Sequence, residues 1–217
     1  MFEPFPKLTR FSHDWTITEK IDGTNAQIIV TPYQANLTLT DGGSGLGLGG
    51  DERLLPTTLA VVDKMAILAG SRTRLLTPED DNYGFAKWVQ RNATELVGLG
   101  EGRHFGEWCG LEIQRNYALA EKRFVLFNAH RWTFDSHKPS CVDVVPVLGS
   151  GYFDNPSQAF QAILADLKQD GSVYSPGFMN PEGVVMYHRP SNTLFKKTFD
   201  YDEAGKWAEN QTRKEAA

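Results

Sequence analysis

The chain has 217 residues, of which 41% are hydrophobic and 23% are charged, and its formal net charge is -5. These fractions are typical of globular proteins and exclude a disordered chain, and no apolar run approaches the ~18 residues of a membrane-spanning helix. The negative net charge excludes a surface coated in positive charge for binding nucleic acid, but it is compatible with a local basic groove.

Cysteine content and the N-terminal segment both favour a cytoplasmic protein. Cys109 and Cys141 are too few for a disulfide framework or a four-cysteine metal site, and we expect both to be small buried residues. Residues 1–10, MFEPFPKLTR, include no apolar stretch of the kind that signal peptides contain. We therefore expect a reducing, cytoplasmic environment and no membrane partner.

Strand-like patterns dominate the chain, and short turns join most of them. In the first pattern Trp15, Ile17 and Glu19 face one way, whereas the residues between them face the other. Lys20 is the last residue of this strand and belongs to the set that faces the other way. Short turns favour antiparallel pairing, so the sequence predicts an α+β fold. The predicted strands are residues 15–20, 25–31, 36–40, 65–70, 103–109, 123–130, 141–147, 183–188 and 193–199.

Two helices are predicted from apolar residues that recur at helical spacing. Asp80 or Asn82 is expected to cap the first helix. Its apolar face consists of Phe85, Trp88, Val89 and Leu96. The second helix is predicted to begin at Pro156 and to end before Gly171, with an apolar stripe of Ala159, Phe160, Ile163, Leu164 and Leu167. A third, weaker helix is predicted from residue 202 onward.

The glycine-rich segment TDGGSGLGLGGDE, at 40–52, contains the spacing Gly45-x-Gly47-x-x-Gly50, which formally matches a dinucleotide-binding fingerprint. That fingerprint requires a helix that opens at the third glycine. Charged residues and then Pro56 follow Gly50 instead. The segment is therefore interpreted as a surface loop between two strands.

Lys20 is the first candidate for chemistry, because it ends a strand and precedes Asp22-Gly23. An Asp-Gly pair is a common hairpin signal, so Lys20 could be a solvated turn residue. It could equally be a nucleophile that points into a pocket. The pattern Lys-x-Asp-Gly alone does not separate these two interpretations.

Further elements follow downstream in a fixed order. The segment Lys20-Ile21-Asp22-Gly23-Thr24-Asn25 resembles motif I of the covalent nucleotidyltransferases, the superfamily of polynucleotide ligases and mRNA capping enzymes. With Glu19 before it, the segment is most similar to RNA ligases of the T4 RNA ligase 2 type. The later elements resemble motifs Ia (Ser71-Arg72), III (Phe105-Gly106-Glu107), IIIa (Phe124-Val125-Leu126-Phe127), IV (Glu182-Gly183-Val184-Val185) and V (Lys196-Lys197). The resemblance therefore covers residues 19 to 197.

The resemblance implies an ATP-grasp-like nucleotidyltransferase (adenylation) domain, built of two mainly antiparallel sheets with flanking helices. We expect residues 1–217 to form this single domain. We expect neither the OB domain of DNA ligases and capping enzymes nor the helical domain of T4-type RNA ligases to fit into residues 199–217. The resemblance therefore leaves most open how the protein binds its polynucleotide substrate and which substrate that is.

The implied activity is that of an ATP-dependent RNA ligase, which attaches AMP to Lys20, passes it to a polynucleotide 5′-phosphate and seals that end to a 3′-hydroxyl. An ordinary lysine amine is protonated at neutral pH and needs desolvation or a nearby cation before it attacks a phosphate. Lys196 or Lys197 would supply that cation. Glu107 and Glu182 would bind Mg²⁺, with Mn²⁺ as a substitute, because hard oxygen ligands suit these ions. The metal would share the charge of the pyrophosphate leaving group.

The resemblance also assigns a set of nucleotide-binding residues, namely Glu19, Asp22, Asn25, Arg72, Glu107 and Phe127. Glu19 would contact the adenine edge through its backbone, and Phe127 would stack on the adenine face. Arg72 and Glu107 would hold the ribose and phosphate. Asn25 resembles the motif I asparagine that the family uses with the polynucleotide 5′-phosphate.

The choice of Phe127 depends on the face that it occupies. Phe124 and Phe127 are three residues apart in a strand-like run, so they point to opposite faces and one of them is core. Motif position favours Phe127 as the stacking residue. Without the motifs, Arg72 would be interpreted as a surface arginine and Glu182 as a turn residue.

Motif V departs from the family pattern, which is usually Lys-x-Lys with both amines on one face of a strand. Here the lysines are adjacent, so only one faces the pocket. Lys196 is the expected residue, because it shares a face with Leu194 and Thr198. The second cation is missing, or it comes from Lys197 through a bulge or from Arg72.

RNA binding is expected from a limited basic groove, given the negative net charge. Its candidate residues are Arg72, Arg74, Arg103, Arg115, Lys122, Arg123 and Arg131. Ends that a nick or hairpin already holds together should then be joined better than free ends. A dimer or a partner protein that completes the surface is the alternative.

Three other functions compete with RNA ligation. A minimal DNA-nick ligase differs only in the strand that it joins, and the form of motif I argues for RNA by resemblance alone. A capping guanylyltransferase is disfavoured because it needs an OB domain. A nucleotide-binding module that needs a partner and does not ligate alone belongs to a different class, and retention of Lys20, Glu107 and Glu182 speaks against it.

Overall fold

The computed structural model describes residues 14–33, 37–39, 46–48, 57–132, 138–152 and 156–200. The chain divides into two compact units: the first comprises Met1–Ile21 and Pro146–Ala217, and the second comprises Asp22–Val145. Helices and strands are mixed, and the sheets are mainly antiparallel, which confirms the predicted α+β class. That residues 1–217 act as a single nucleotidyltransferase domain stays a prediction.

The described strands are β1 (Trp15–Lys20), β2 (Thr24–Pro32), β3 (Leu37–Leu39), β4 (Leu46–Leu48), β5 (Ala60–Val62), β6 (Met65–Ser71), β7 (Leu75–Leu76), β8 (Gly102–Gly110), β9 (Lys122–Leu126), β10 (Val142–Val144), β11 (Val147–Gly151), β12 (Gly183–His188) and β13 (Thr193–Thr198). The described helices are α1 (Phe85–Arg91), α2 (Ala93–Leu96), α3 (Ala129–Trp132) and α4 (Pro156–Asp170). Short 3₁₀ turns lie at Val97–Leu99, Asn116–Ala118 and Arg189–Ser191.

The first unit is built on a four-stranded antiparallel sheet in the order β11–β1–β12–β13, with α4 on one face. The alternation predicted for β1 is observed: Trp15, Ile17 and Glu19 are buried, and the residues between them are half-exposed. Trp15 and Ile17 lie in one buried cluster with Leu167 of α4. Burial of an aliphatic side chain contributes about 1.5–3 kcal/mol, so this cluster holds the helix on the sheet. The helix ends as predicted before Gly171, whose φ is +83.

The second unit contains a sheet in the order β10–β9–β8–β2–β6–β5, with β7 paired to β6. Its strand pairs are antiparallel except for β10 with β9. On the core face of β2, Ala26 and Ile28 belong to the same buried cluster as Phe85 and Val89 of α1. The apolar face predicted for the first helix is therefore the face that covers this sheet, but the single helix predicted to reach Leu96 is divided at Asn92 into α1 and α2. A separate two-stranded sheet pairs β3 with β4.

The N-cap of α1 is Gly84, so the predicted caps Asp80 and Asn82 were wrong, and the Asp81 carboxylate supplies acceptors to the first turn. One Asp81 carboxylate oxygen accepts the backbone N–H of Ala86 at 2.8 Å. The left-handed turn at Gly84, with φ +80, immediately precedes the helix. Because this turn separates the polar residues from the helix, backbone geometry rather than residue type decides which carboxylate reaches the free N–H groups.

Strand boundaries differ from the prediction where short elements or a proline intervene. The strand predicted at 123–130 ends at Leu126, because α3 begins two residues after Phe127. The strand predicted at 141–147 is split around Pro146, which lacks the N–H needed for a continuous ladder. The glycine-rich segment, predicted as a loop, contains β4. The strands β5 and β7 were not predicted, and the helix predicted from residue 202 lies outside the described residues.

Both cysteines are free thiols. Cys109 is buried as expected, whereas Cys141 is only half-buried. Burial, reinforced by the nearby Glu95 carboxylate, raises the pKa of the Cys141 thiol to about 11. Cys141 is therefore protonated, and poorly nucleophilic, at neutral pH. Across the described ranges, no helix is long and apolar enough to cross a membrane.

Candidate functional site

Lys20 ends β1 and forms an ion pair with Glu182. The Lys20 Nζ donates to Glu182 Oε2 at 2.6 Å, and 21% of the lysine side chain and 16% of the glutamate side chain are exposed. Glu182 immediately precedes β12, whose first residue, Gly183, lies directly opposite Lys20 in the antiparallel register. An ammonium has no lone pair, so this amine becomes a nucleophile only after its proton moves to an acceptor such as Glu182.

Gly183 allows β12 to begin at this position. Its φ of +150 is one that other residues rarely adopt, and a Cβ here would lie 2.1 Å from the Lys197 carbonyl oxygen. The adjacent Glu182 carbonyl accepts the N–H of Phe199 at 3.0 Å. The glycine and this hydrogen bond together hold the backbone of Glu182 against the end of β13.

The register separates the two adjacent lysines of β13 onto opposite faces of the sheet. Lys196 lies opposite Val185 of β12, which in turn lies opposite Thr18 of β1. Directly opposed residues in antiparallel strands share a face. Thr18 alternates with Glu19 and therefore shares its face with Lys20, so Lys196 lies on the Lys20 face.

Lys197 lies on the other face of the same sheet. It is opposite Val184, which is buried in the cluster that includes α4 and is itself opposite Glu19. Lys196 is exposed and Lys197 is half-buried. The first unit thus brings Lys20, Glu182 and Lys196 to one side of its sheet and places Lys197 on the side of the helix.

Glu19 is almost completely buried and ties the loop after α4 to β1. Its carboxylate accepts the Ser172 hydroxyl at 2.6 Å and the backbone N–H groups of Val173 and Tyr174 at 2.9 Å each. Burial raises the pKa of the carboxyl group, and the three hydrogen bonds act in the opposite direction. Sequence reasoning assigned only the Glu19 backbone. The signal for a buried side chain was its place in the alternation with Trp15, because a carboxylate on an apolar face must find donors.

Asp22, the first residue of the second unit, is held at two points. Its carboxylate accepts from Arg115 Nε at 3.1 Å, and its backbone N–H donates to the Tyr117 hydroxyl at 3.0 Å. Only 12% of the Arg115 side chain and 25% of the Asp22 side chain are exposed. Neither Arg115 nor Tyr117 was assigned to motif I from the sequence, because the contact joins residues far apart in the chain.

Gly23 and Thr24 are fixed by close packing and by a hydrogen bond. A Cβ at Gly23 would lie 2.5 Å from the Trp108 carbonyl oxygen and 2.9 Å from the Cys109 Cβ, so only glycine fits against β8. The Thr24 hydroxyl accepts from the Asn82 side-chain amide at 2.9 Å. Motif I is therefore packed against β8 and tied to the segment before α1.

Glu107 lies on the face of the second unit's sheet that is turned away from the main core. It is opposite Asn25 of β2 on one side and Val125 of β9 on the other. Trp108, the next residue, points to the core face and is fully buried, whereas Glu107 is half-buried. Asn25 and Glu107, both assigned from the sequence, are thus brought together as cross-strand neighbours.

Phe124 and Phe127 differ in solvent exposure, as the sequence predicts for residues on opposite faces of a strand. Phe124 is fully buried in the core, and 40% of Phe127 is exposed. The N–H of Phe127 donates to the Phe105 carbonyl at 3.0 Å, which extends the pairing of β8 and β9 by one residue. Phe105 alternates with Glu107 along β8 and is 48% exposed. Two exposed aromatic side chains therefore lie at neighbouring positions, and the sequence had singled out only one.

Arg72 is exposed in the turn between β6 and β7. The Ser71 hydroxyl accepts the N–H groups of Thr73 and Arg74, which fixes the turn. The Gln27 side-chain amide donates to the Ser71 carbonyl at 3.0 Å, and its oxygen accepts from Arg103 at 3.1 Å. Gln27 thereby joins β2 to the start of the Arg72 turn.

Most residues of the predicted basic groove make contacts inside the second unit. Arg74 pairs with Asp80 at 2.6 Å, and Arg131 donates to the Leu99 carbonyl at 2.7 Å. Arg115, Lys122 and Arg123 likewise contact Asp22, the Tyr83 carbonyl and Glu121, respectively. These five cations therefore each have an acceptor within the unit, although the Arg74 and Arg123 side chains remain partly exposed to solvent.

The two proposed metal ligands are suited in chemistry to a hard divalent ion. No group of three or more histidine, cysteine, aspartate or glutamate side chains that could hold a metal occurs within the described residues. Magnesium, however, usually binds through one or two carboxylates together with substrate phosphates and water. Glu182 presents a partly exposed carboxylate beside Lys20, and Glu107 presents one beside Asn25. Both fit that mode of binding.

Comparisons with known proteins agree with the family that the sequence resembles. A family model described as RNA ligase matches residues 13–207. A search among curated proteins gave no significant match. Among solved structures, a point mutant of Naegleria gruberi RNA ligase without ligand aligns with a TM-score of 0.52 and 18% identity, over 86% of this chain and 49% of that chain.

Two further Naegleria gruberi RNA ligase structures give the same result. A point mutant with ATP and Mn aligns with a TM-score of 0.53 and 17% identity, over 87% of this chain and 50% of that chain. A point mutant with AMP and Mn aligns with a TM-score of 0.53 and 17% identity, over 86% and 49% of the two chains. At these identities the likeness is one of fold, and the chain spans about half the length of the solved structures that it matches.

Proposed function

We propose a reaction for this chain, which belongs to the RNA ligase family. The Lys20 amine takes AMP from ATP, AMP passes to the 5′-phosphate of an RNA end, and that end is sealed to a 3′-hydroxyl with release of AMP. The observation that carries the proposal is the half-buried Lys20–Glu182 pair, 2.6 Å apart, with Lys196 on the same face of the sheet.

The first step forms a bond between the Lys20 nitrogen and the α-phosphorus and breaks the bond from that phosphorus to the pyrophosphate oxygen. The Lys20 ammonium must lose a proton, and the Glu182 carboxylate at 2.6 Å is positioned to accept it. Lys196 supplies a positive charge on the face where the α-phosphate would bind, which stabilises charge that develops in the transition state.

A divalent metal, Mg²⁺ or Mn²⁺, would share the charge of the departing pyrophosphate. We propose Glu182 and Glu107 as metal-binding residues. A carboxylate has two oxygens with several lone pairs, so Glu182 can contact Lys20 and a cation at the same time. The ATP and Mn present in the Naegleria gruberi structures support ATP and a divalent ion as the requirements of this chain.

The remaining motif residues are proposed nucleotide and RNA contacts. Phe127 would stack on adenine, and Glu19 would contact the adenine edge through its backbone. Arg72 and Glu107 would hold the ribose and phosphate. The contacts are completed by Asp22, by Asn25 toward the polynucleotide 5′-phosphate and by Lys197, whose position beside α4 favours a supporting role.

A second candidate function is a module that forms the lysine adenylate and needs a partner for sealing. The chain spans about half the length of the solved RNA ligases that it matches, so sealing by this chain alone is a separate question from adenylation. The two candidates share the first step and differ in the last. A DNA nick in place of an RNA nick is a third outcome that the sealing assay distinguishes.

Labelled nucleotides test the first step. The chain is incubated separately with labelled ATP, GTP and NAD in the presence of Mg²⁺ or Mn²⁺, and covalent label is detected after denaturing electrophoresis. We expect label from ATP only, AMP on the peptide that contains Lys20 by mass spectrometry, and no label in Lys20→Ala. Lys168→Ala, which changes an exposed lysine of α4 in the same unit, should label normally. Strong labelling of Lys20→Ala would contradict the proposal.

Sealing assays test the last step. Nicked RNA duplexes, unpaired RNA strands and nicked DNA duplexes are each supplied with ATP and metal, and the joined product is measured. Joined RNA supports ligation by this chain alone. An adenylated chain that joins none of the three substrates supports the module that needs a partner, and joined DNA without joined RNA identifies a DNA-nick ligase.

A further inference from the structure

We infer that Arg115 and Tyr117 are positioning residues that hold motif I in the geometry needed for attack by Lys20. The inference rests on the proposed function, because it concerns the same lysine. Both side chains act on Asp22, which lies two residues after Lys20 in the chain. Arg115 Nε binds the Asp22 carboxylate at 3.1 Å, and the Tyr117 hydroxyl accepts the Asp22 backbone N–H at 3.0 Å.

These two contacts fix a side chain and a backbone group of one residue. A charged carboxylate held by a largely buried guanidinium has little freedom to rotate, and the N–H contact sets the plane of the peptide that joins Ile21 to Asp22. The following residue, Gly23, is packed against the Trp108 carbonyl. The backbone on the C-terminal side of Lys20 is therefore ordered over consecutive residues, which lowers the entropy cost of reaching a reactive orientation.

The connection that carries Arg115 and Tyr117 has an unusual backbone. Left-handed φ values occur at five non-glycine residues between β8 and β9: Glu112 (63), Gln114 (45), Asn116 (49), Tyr117 (52) and Ala118 (53). Such conformations are uncommon outside glycine and persist where surrounding contacts determine them. Here the tight turns direct both Arg115 and the Tyr117 hydroxyl to the same residue, Asp22.

The ring and the hydroxyl group of Tyr117 have different roles. The residue is fully buried, so its ring contributes to packing whether or not the hydroxyl has a function. Tyr117→Phe removes only the hydroxyl and keeps the ring. For Arg115, the alternative is a contact with RNA phosphate, as the sequence suggested. The pairing of its Nε with Asp22 favours action on motif I.

The test measures the rate of lysine adenylate formation at a series of ATP concentrations. We expect Arg115→Ala to lower the maximal rate by about tenfold or more, as misplacement of reacting groups does, with a smaller change in the ATP concentration that gives half the maximal rate. Arg115→Lys keeps the charge but not the Nε geometry, and it should restore only part of the rate. Tyr117→Phe should lower the rate by a smaller factor.

A double-mutant cycle shows whether Arg115 acts through Asp22. If it does, Arg115→Ala has little further effect in a chain that already carries Asp22→Asn, because the interaction is already lost. An equal loss in both backgrounds would overturn the inference, as would an unchanged adenylation rate in Arg115→Ala. Loss of RNA binding with normal adenylation would also overturn it, and would identify Arg115 as an RNA contact.

Two controls separate positioning from folding and from the proposed function. Arg189→Ala removes another arginine–aspartate pair, Arg189 Nε to Asp14 Oδ2 at 3.4 Å, whose arginine is more exposed than Arg115, and should leave adenylation unchanged. Amide hydrogen exchange at Asp22 gives a readout that needs no activity. Faster exchange there in Tyr117→Phe supports the inference that Tyr117 holds Asp22. This holds even if the unaltered chain forms no adenylate, and in that case only the proposed function is contradicted. Unchanged exchange at Asp22 in Tyr117→Phe would overturn the inference.

Discussion

Glu19 carries a buried carboxyl group, and its ionisation should make the free energy of unfolding depend on pH. Burial raises its pKa above the ordinary value of 4.5, although hydrogen bonds from Ser172, Tyr174 and Val173 oppose the shift. A carboxyl group with a higher pKa in the folded than in the unfolded chain stabilises the fold at low pH. This contribution is lost as the pH rises through the folded-state pKa. We therefore expect the unaltered chain to lose stability, relative to Glu19→Gln, as the pH rises above 4.5.

The difference in stability between the unaltered chain and Glu19→Gln is measured by urea-induced unfolding at pH values below and above 4.5. Glutamine is the matched replacement, because its oxygen can accept the two backbone N–H groups and its amide can donate to the Ser172 hydroxyl. Glu19→Ala leaves those donors without an acceptor and should cost about 1–3 kcal/mol of stability. A stability difference between the unaltered chain and Glu19→Gln that does not change with pH would show that the carboxyl group titrates normally.

The strand β13 presents its adjacent lysines to opposite faces of one sheet, so two replacements test one prediction about the register. Lys196 lies on the Lys20 face and Lys197 on the face of α4. We expect adenylate formation to be slower in Lys196→Ala than in Lys197→Ala by about tenfold or more. The reason is that a fixed charge near the reacting phosphate stabilises the transition state. The rates are measured with labelled ATP.

Lys196→Arg keeps a cation on the same face and should retain part of the rate, whereas Lys168→Ala on α4 controls for the loss of one positive charge in the same unit. Thermal unfolding of each variant shows whether the strand is intact. A larger loss in Lys197→Ala than in Lys196→Ala would mean that β13 slips by one residue when nucleotide binds, since a one-residue slip exchanges the two faces.

The elements that could be predicted from the sequence are those with a long, regular pattern. The alternation of β1 and the apolar stripe of α4 were both correct, because each pattern extends over several residues and is bounded by clear turn or cap residues. The short strands β5 and β7 were missed, since two or three residues carry no measurable periodicity. The cap of α1 was misplaced because Asp80, Asp81 and Asn82 are all suitable by type and differ only in backbone geometry.

The candidate site could be predicted only where a motif marks it in the sequence. Recognition of the RNA ligase family is confirmed by the match over residues 13–207. Motif order could not identify Arg115, Tyr117 or Ser172, because each reaches its partner through contacts between residues distant in the chain. It also could not show that most of the predicted basic groove is engaged in internal contacts. The individual roles assigned to the motif residues stay predictions.

RNA binding by the whole chain should be weak and only moderately dependent on salt. The net charge is -5, and several candidate cations contact acceptors inside their own unit. Each neutralised phosphate contributes ~0.9 to the slope of log affinity against log salt concentration on a duplex, so three or four phosphates give a slope of ~3–4. A nicked duplex should be sealed faster than free strands are joined, because base pairing supplies proximity.

Binding and sealing are compared on a nicked RNA duplex and on unpaired strands of the same sequence as the salt concentration is raised. Equal sealing rates on the two substrates, or a slope that corresponds to roughly eight or more phosphates, would contradict a small groove. That result would favour a dimer or a partner protein that extends the binding surface, and analytical ultracentrifugation of the free chain would distinguish the two.

The first unit is assembled from two segments that are separated in sequence, whereas the second is the continuous stretch Asp22–Val145. The strand β1 pairs with β11 and β12, so neither of its neighbours exists until the ribosome has made residues 147–188. The second unit can bury its own core during that interval, while β1 emerges early and remains without its partners. Lys20 is synthesised 162 residues before Glu182, and the whole of the second unit lies between them. The order of synthesis thus delays contact between Lys20 and Glu182 until the chain of the second unit has been made.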